Sequence, residues 1–193
     1  DYSARKSVES VYESLDRLNV DYIDLINVHD IEFSDLEMVC KETLPALTEL
    51  KTKGLVKHVG ITNLTLRHFK YVINNVPKGT VESILSFCHY CLNDDALIDY
   101  LDFFEQNDVG IINASPFSMG LLTERGAPEW HPAPKPLQDL CRKAVQHCMD
   151  KGKNIEQLAV SFSVSNPRIA TTLFSTTRSS SVLQNIKWAN EPT

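Results

Sequence analysis

The chain has 193 residues, 42% hydrophobic and 23% charged, which suits one globular domain and excludes disordered and fibrous classes. Its net charge is −6 and its basic residues are scattered, so neither nucleic acid nor an anionic membrane is an expected partner. No apolar stretch reaches the ~18 residues of a membrane span, the residues Asp1–Lys6 carry no apolar signal core, and five cysteines are an odd number, so a cytoplasmic protein with reduced thiols is expected.

Val8, Val11, Tyr12, Leu15 and Leu18 recur at spacings of three and four, which predicts an amphipathic helix with these residues on its inner face. Tyr22 to Val28 is a near-continuous apolar run, which predicts a strand covered on both faces that delivers His29 to its C-terminal end. Ser34-Asp-Leu-Glu37 fits a capping box with Ser34 as N-cap, and Leu36, Val39, Cys40, Leu44, Leu47 and Leu50 continue one apolar face. Pro45 lacks the N–H that a helix interior needs, so a kink or restart is expected near Thr43, and Gly54 suits the left-handed position past the helix end.

Lys57–Thr62 reads as the next strand, followed by a helix bearing Leu66, Phe69, Val72 and Ile73, and Val81–Phe87 as a third. Asp94 is expected to cap a helix with Leu97, Leu101 and Phe104 inward, and Val109–Asn113 is a fourth strand. A long loop from Ala114 to about Pro134 holds Pro116, Pro128, Pro132 and Pro134; loops of this length inside compact domains usually carry function. Helices over Lys135–Lys151 and Ile155–Ser165, a fifth strand over Ile169–Phe174 and a last helix over Ser179–Ala189 complete the chain.

Five strands alternating with helices call for an α/β fold with a parallel sheet and right-handed connections. A (β/α)8 barrel needs about 250 residues, so the residues alone leave two forms: an open five-stranded sheet, or a barrel without its first three units. The strand ends carry His29-Asp30, Thr62-Asn63, Ser86, Ser115-Pro116 and Ser175–Thr177, where barrel enzymes build their sites. Helix capping explains the same polar pattern, and His29 by itself reads as an imidazole satisfied at the edge of the core rather than as a catalytic group. Cys88-His-Tyr-Cys91 lacks the second pair of a structural zinc site, and it follows a strand where a redox pair should open a helix. No metal is expected.

The stretch Ser14-Leu-Asp-Arg-Leu-Asn-Val-Asp-Tyr-Ile-Asp-Leu-Ile-Asn-Val-His29, together with Gly60-Ile-Thr-Asn63 and Ala114-Ser115-Pro116, resembles the aldo-keto reductases over essentially the whole chain. The resemblance implies a partial (β/α)8 TIM barrel, five parallel strands with helices and N-terminal units absent, residues 1–193 being one fragment of that domain. It implies NAD(P)-dependent hydride transfer, with His29 as the one member of the catalytic tetrad present; the family's tyrosine, lysine and aspartate lie on the first three strands. Tyr2 and Tyr12 follow no strand end, so neither is expected to replace that tyrosine.

By the same resemblance Thr62 and Asn63 hold the nicotinamide carboxamide. Ser86 stands where the family usually has glutamine, and Ala114 where it has an aromatic that stacks on the nicotinamide. Ser115, Phe117 and Met119 match the segment that grips the pyrophosphate, and Ser175, Thr176, Thr177, Ser181, Gln184 and Asn185 the closing phosphate and adenine site at a helix entrance. Ser181 takes the place of an arginine found in NADP-preferring members, so NAD is expected and NADP is less favoured. His29-Asp-Ile-Glu-Phe33 and Gly126-Ala-Pro-Glu-Trp-His-Pro132 point to a sugar-oxidising branch, which takes an aldose such as L-galactose to its lactone in ascorbate biosynthesis. Asp30, Trp130 and His131 would then face the sugar, with anchoring of the proline-rich loop an equal reading for Trp130 and His131. The competing class is a truncated paralogue or regulatory protein that binds cofactor without turnover; the oligomeric state is not indicated.

Overall fold

The computed structural model describes residues Asp1–Glu191; Pro192 and Thr193, the last two positions of the expected domain, lie outside the described residues. Helix α1 (Ala4–Leu18) starts at Ser3, whose hydroxyl accepts the Lys6 N–H, and ends at Asn19 in the left-handed conformation. Its buried stripe is Val11 and Leu15, whereas Tyr12 and Leu18, expected on the same face, are exposed. The inner face is thus narrower than the spacing suggested. Strand β1 (Ile23–Val28) follows, and only Val28 in it is fully buried. The expectation of a strand covered on both faces is therefore corrected: side chains on both faces of β1 are only partly covered, and its outer edge also lacks a strand neighbour, since β1 stands at one end of the strand order.

A one-turn 3-10 helix (Ile31–Phe33) takes up the Ser34 N–H through the Ile31 carbonyl. The capping role consequently falls on Asp35, not Ser34: the Asp35 carboxylate accepts the Glu37 N–H at 2.9 Å and opens the short α2 (Leu36–Met38). A π turn over Val39–Thr43 then leads into α3 (Leu44–Thr52), which carries Pro45 in its first turn. The Leu44 N–H reaches the Val39 carbonyl, five residues back. Widening the turn draws the carbonyl four residues before Pro45 away from the pyrrolidine ring, which would otherwise clash with it. This is the physical form of the expected restart near Thr43, and Gly54 (φ 78°) closes α3 as expected.

Strand β2 (Val56–Asn63), α4 (Leu66–Asn74) and β3 (Ser83–Phe87) follow. A 3-10 segment (Ala96–Tyr100), preceded by Asp94 accepting the Ala96 N–H, leads into α5 (Leu101–Gln106) and β4 (Gly110–Ala114). Helices α6 (Lys135–Asp150) and α7 (Ile155–Ser163), strand β5 (Thr171–Leu173) and helix α8 (Ser179–Asn190) complete the described chain. Strand β5 is three residues long where six were expected, and α7 stops two residues early.

The strands run in the order β1-β2-β3-β4-β5, with parallel pairing of β1 to β2, β2 to β3 and β4 to β5. With β1 and β5 at opposite ends of that order, the strands do not close into a complete barrel, as expected for a partial one. Packing groups the described chain into two compact units. The first, Asp1–Ser86 with Asp99–Ile111, buries Leu44, Leu50, Ile61, Phe69, Ile84 and Phe104, the Phe69 and Phe104 rings meeting edge-on at 6.1 Å. The second, Phe87–Ile98 with the chain from Ile112 onward, is built on Leu121, Leu122, Cys141, Val145, Ile155 and Ala159.

One row of the first unit runs through Asn27, Gly60 and Ser83, which are register partners on β1, β2 and β3. A Cβ on Gly60 would lie 2.2 Å from Asn27 Oδ1 and 2.3 Å from Ser83 Oγ. Two polar side chains therefore fill the place of the absent third.

Candidate active site

The first unit carries His29, Asp30, Thr62, Asn63 and Ser86, delivered by the C-terminal ends of β1, β2 and β3. Asp30 is the knot of the group. Its backbone turns through the left-handed region (φ 49°), an unusual place for a residue with a side chain. Its N–H donates to Thr62 Oγ1 at 2.8 Å, and the Thr62 hydroxyl donates to Asp30 Oδ1 at 3.3 Å. The other carboxylate oxygen lies 3.2 Å from His29 Nδ1. With Nδ1 facing the Asp30 carboxylate, Nε2 is the ring nitrogen turned to other groups. The His29 side chain is 79% exposed, so it stands at a rim and not in the core.

Thr62 and Asn63 are neighbours on β2, so their side chains leave the strand on opposite faces. The Thr62 hydroxyl, engaged with Asp30 as donor and acceptor, keeps one acceptor position. Asn63 is buried, and its amide N–H donates to the Thr65 carbonyl at 2.7 Å while Oδ1 has no partner among the described residues. Its register partner Ser86 is fully buried, and Ser86 Oγ is likewise unpaired. An unpaired buried polar atom costs about 1–3 kcal/mol. Two of them side by side, one an acceptor and one able to donate, fit a group that brings both functions, such as a carboxamide.

The second unit carries the remaining candidates. The segment after β4 is wound through the left-handed region at Ser115 (φ 61°), Ser118 (φ 48°), Met119 (φ 51°) and Gly120 (φ 103°). Such conformations persist only where the surroundings impose them, and they cluster at ligand sites. Here the Ser115 N–H donates to the Leu173 carbonyl, and the Cys91 thiol donates to the Ser115 carbonyl at 3.2 Å. Phe117 is half-buried with its ring 6.4 Å from that of Phe174. Ser175, Thr176 and Thr177 are exposed just before α8, with Thr176 Oγ1 accepting the Arg178 N–H. Ser181 is half-buried in the first turn of α8, Gln184 is exposed and Asn185 is buried. Exposed hydroxyls beside a twelve-residue helix start have the chemistry that phosphate requires.

His131 is buried, and both its nitrogens are used. Nδ1 accepts the Ala133 N–H at 3.0 Å, so the proton sits on Nε2, which donates to the Ser118 carbonyl at 3.1 Å. The ring thus ties the proline-rich loop to the left-handed segment, while Trp130 beside it is 72% exposed. The two thiols of the C-x-x-C pair are both free. The Cys91 thiol beside Cys88 holds Cys88 below the ordinary thiol value, and the same contact, with burial, pushes Cys91 up. Among the described residues no three His, Cys, Asp or Glu side chains come together as a metal would need, and no helix is long and apolar enough to cross a membrane.

Three further residues support the first site, and no pattern in the sequence marks them for that role. The Tyr2 hydroxyl donates to the carbonyls of His29 and Asp30 at 2.8 and 2.9 Å. Thr43 donates to the Tyr2 carbonyl. Glu32 accepts the Leu64 N–H at 3.3 Å through Oε1, while Oε2 is buried without a partner among the described residues. Tyr2 is not placed to give up its proton: it is spent on backbone carbonyls. Burial, and then the Asp30 and Glu32 carboxylates, raise its pKa above the ordinary tyrosine value.

A parallel α/β strand set with polar residues gathered at the C-terminal ends of its strands is the arrangement of barrel folds. Residues 1–193 match the aldo/keto reductase family, and the chain belongs to that family. It is 46% identical over 191 residues to the L-galactose dehydrogenase of Arabidopsis thaliana, covering 99% of this chain and 60% of that protein. It is 27% identical over 163 residues to the D-arabinose 1-dehydrogenase of Saccharomyces cerevisiae, covering 81% of this chain and 48% of that one. Among solved structures, the holo form of aldo-keto reductase AKR11C1 from Bacillus halodurans superposes with a TM-score of 0.79 at 23% identity, covering 99% of this chain and 63% of that chain. The chain thus spans about three fifths or less of the length of these relatives.

Proposed function

We propose that this chain provides the cofactor-binding and substrate-orienting part of an NAD-dependent aldose dehydrogenase, one that oxidises an L-galactose-type sugar at C1 to the lactone. The observation that carries the proposal is the Asp30 knot: Thr62 holds Asp30, and Asp30 faces Nδ1 of an exposed His29. An imidazole held by one nitrogen offers the other to a sugar oxygen, and so orients and polarises the C–O bond that is to be oxidised. Asn63 and Ser86 are assigned to the carboxamide of the nicotinamide, with Thr62 offering its remaining acceptor position; the two unpaired atoms support this. Ser115, Phe117 and Met119 are assigned to the pyrophosphate, and Ser175, Thr176, Thr177, Ser181, Gln184 and Asn185 to the far phosphate and adenine. Hydride acceptance is the chemistry that NAD supplies when bound. Asp30 and Trp130 are assigned to the sugar, with His131 fixing the loop that presents Trp130.

The similarity to L-galactose dehydrogenase supports the sugar class, and Ser181 supports NAD over NADP. A neutral serine makes no charge-assisted contact to a 2′-phosphate, a difference of about 1.5–3 kcal/mol, or roughly ten- to a hundredfold in affinity. A dinucleotide titration is expected to show tighter NAD than NADP binding, and the reverse order would overturn that assignment. The reading as a whole is tested by His29→Ala in the protein with its complete barrel. We expect kcat/KM with L-galactose to fall about a hundredfold or more, with NAD affinity unchanged. Wild-type kcat/KM in this variant would return His29 to a structural role.

A further inference from the structure

We propose that Tyr2 is a positioning residue for His29, acting through the left-handed corner at Asp30; the inference rests on the reading of His29 given above. The Tyr2 hydroxyl has one proton, and it lies between two acceptors, the carbonyls of His29 and Asp30. Both carbonyls belong to the segment where the chain leaves β1 and enters its unusual turn. A left-handed aspartate at such a corner persists only when its surroundings hold it there. Two holds are visible: Thr62 takes the Asp30 N–H from the β2 side, and Tyr2 donates to the carbonyls from the segment before α1.

Tyr2 is itself fixed. Its carbonyl accepts the hydroxyl of Thr43, which is buried and closes the π turn. The helical irregularity imposed by Pro45 therefore has a use: Thr43, its last residue, clamps Tyr2. The line runs from Thr43 to Tyr2, then to the His29–Asp30 corner, then to the Asp30 carboxylate and His29 Nδ1. Tyr2 touches no reacting atom in this scheme. It sets the direction from which the imidazole is offered.

Nitrogen NMR of the His29 ring in the protein with its complete barrel reads that direction through the tautomer, and amide exchange at Asp30 reads the corner. In Tyr2→Phe we expect the Nδ1–H tautomer of His29 to lose its excess and the Asp30 amide to exchange about tenfold faster. The control Tyr12→Phe, at an exposed tyrosine of α1, should change neither. Thr43→Val should reproduce the effect in weaker form, and Thr43→Ser, which keeps the hydroxyl, should restore the wild-type spectrum. A folded Tyr2→Phe chain with an unchanged His29 ring and Asp30 amide overturns the proposal. If Tyr2→Phe does not fold, the Thr43 pair decides it, and identical Val and Ser spectra overturn it. The catalytic reading fails separately. Should the ring respond to Tyr2→Phe while His29→Ala keeps full turnover, the positioning stands and the role of His29 falls.

Discussion

Glu82, the residue before β3, gathers three donors: Lys51 at 2.6 Å, His58 at 2.8 Å and the Val59 N–H at 3.1 Å. Burial alone would push its carboxyl up, but the bonds from Lys51, His58 and Val59 outweigh it and leave the pKa below the ordinary glutamate range. A depressed carboxyl contributes stability that is present above its unfolded value and is lost as the pH falls through its folded value. Glu82→Gln is therefore expected to cost about 1–2 kcal/mol at neutral pH, and the gap should begin to narrow below about pH 4.3. Urea unfolding at pH 7, 5 and 3.5 checks this; a gap that stays constant would contradict it. At this same scale, what was legible and what was not differ by range. His29 and Asp30 just after β1, and Thr62 and Asn63 at the end of β2, stand at strand ends that the apolar runs locate, but it is the family resemblance that gives them an expected role. Tyr2 lies 27 residues before the histidine whose carbonyl it holds, and nothing in its neighbours marks it. Hydrogen bonds across such distances leave no local pattern.

Caps and breaks at helix ends are read from neighbours, and that makes them prone to errors of one place. Ser34 and Asp35 are both good N-cap types, and Glu37 three residues after Ser34 completes a capping box. The 3-10 turn at Ile31–Phe33 spends the Ser34 N–H first, so the cap moves to Asp35. Asp35→Ala is expected to cost about 1 kcal/mol and Ser34→Ala less than about 0.5 kcal/mol. Thermal or urea unfolding of the two variants checks the order, and a larger loss at Ser34 would restore the capping box. The restart at Thr43 was legible because proline acts through its own covalent structure, whatever surrounds it. The narrow buried face of α1 and the partly uncovered β1 were not, since periodicity shows which residues could be buried and not what is there to cover them.

Over the whole molecule, the open strand order has a consequence for solution behaviour. β1 and β5 each have a neighbour on one side only, and apolar surface lies near both: Tyr22 is 43% and Leu173 47% exposed. On α8, Val182, Leu183 and Ile186 are exposed as well. Unpaired edges with apolar side chains are templates for pairing between chains. Residues 1–193 alone are expected to associate in sedimentation measurements at micromolar concentration, and Leu173→Lys to reduce that association. They are also expected to show no NAD reduction with L-galactose, since Tyr2 keeps its proton on backbone carbonyls. A monodisperse monomer that turns over the sugar would refute both expectations.

Gly60 shows how three strands bind one another's history. Its missing side chain is replaced by Asn27 from one neighbour and Ser83 from the other, both within 2.3 Å of where a Cβ would stand. Alanine at position 60 therefore requires the Asn27 and Ser83 side chains to turn away from the place they fill. Each of those, made smaller first, leaves a void beside a glycine that cannot fill it. The three positions are coupled: what a substitution costs at one of them depends on the residues held at the other two.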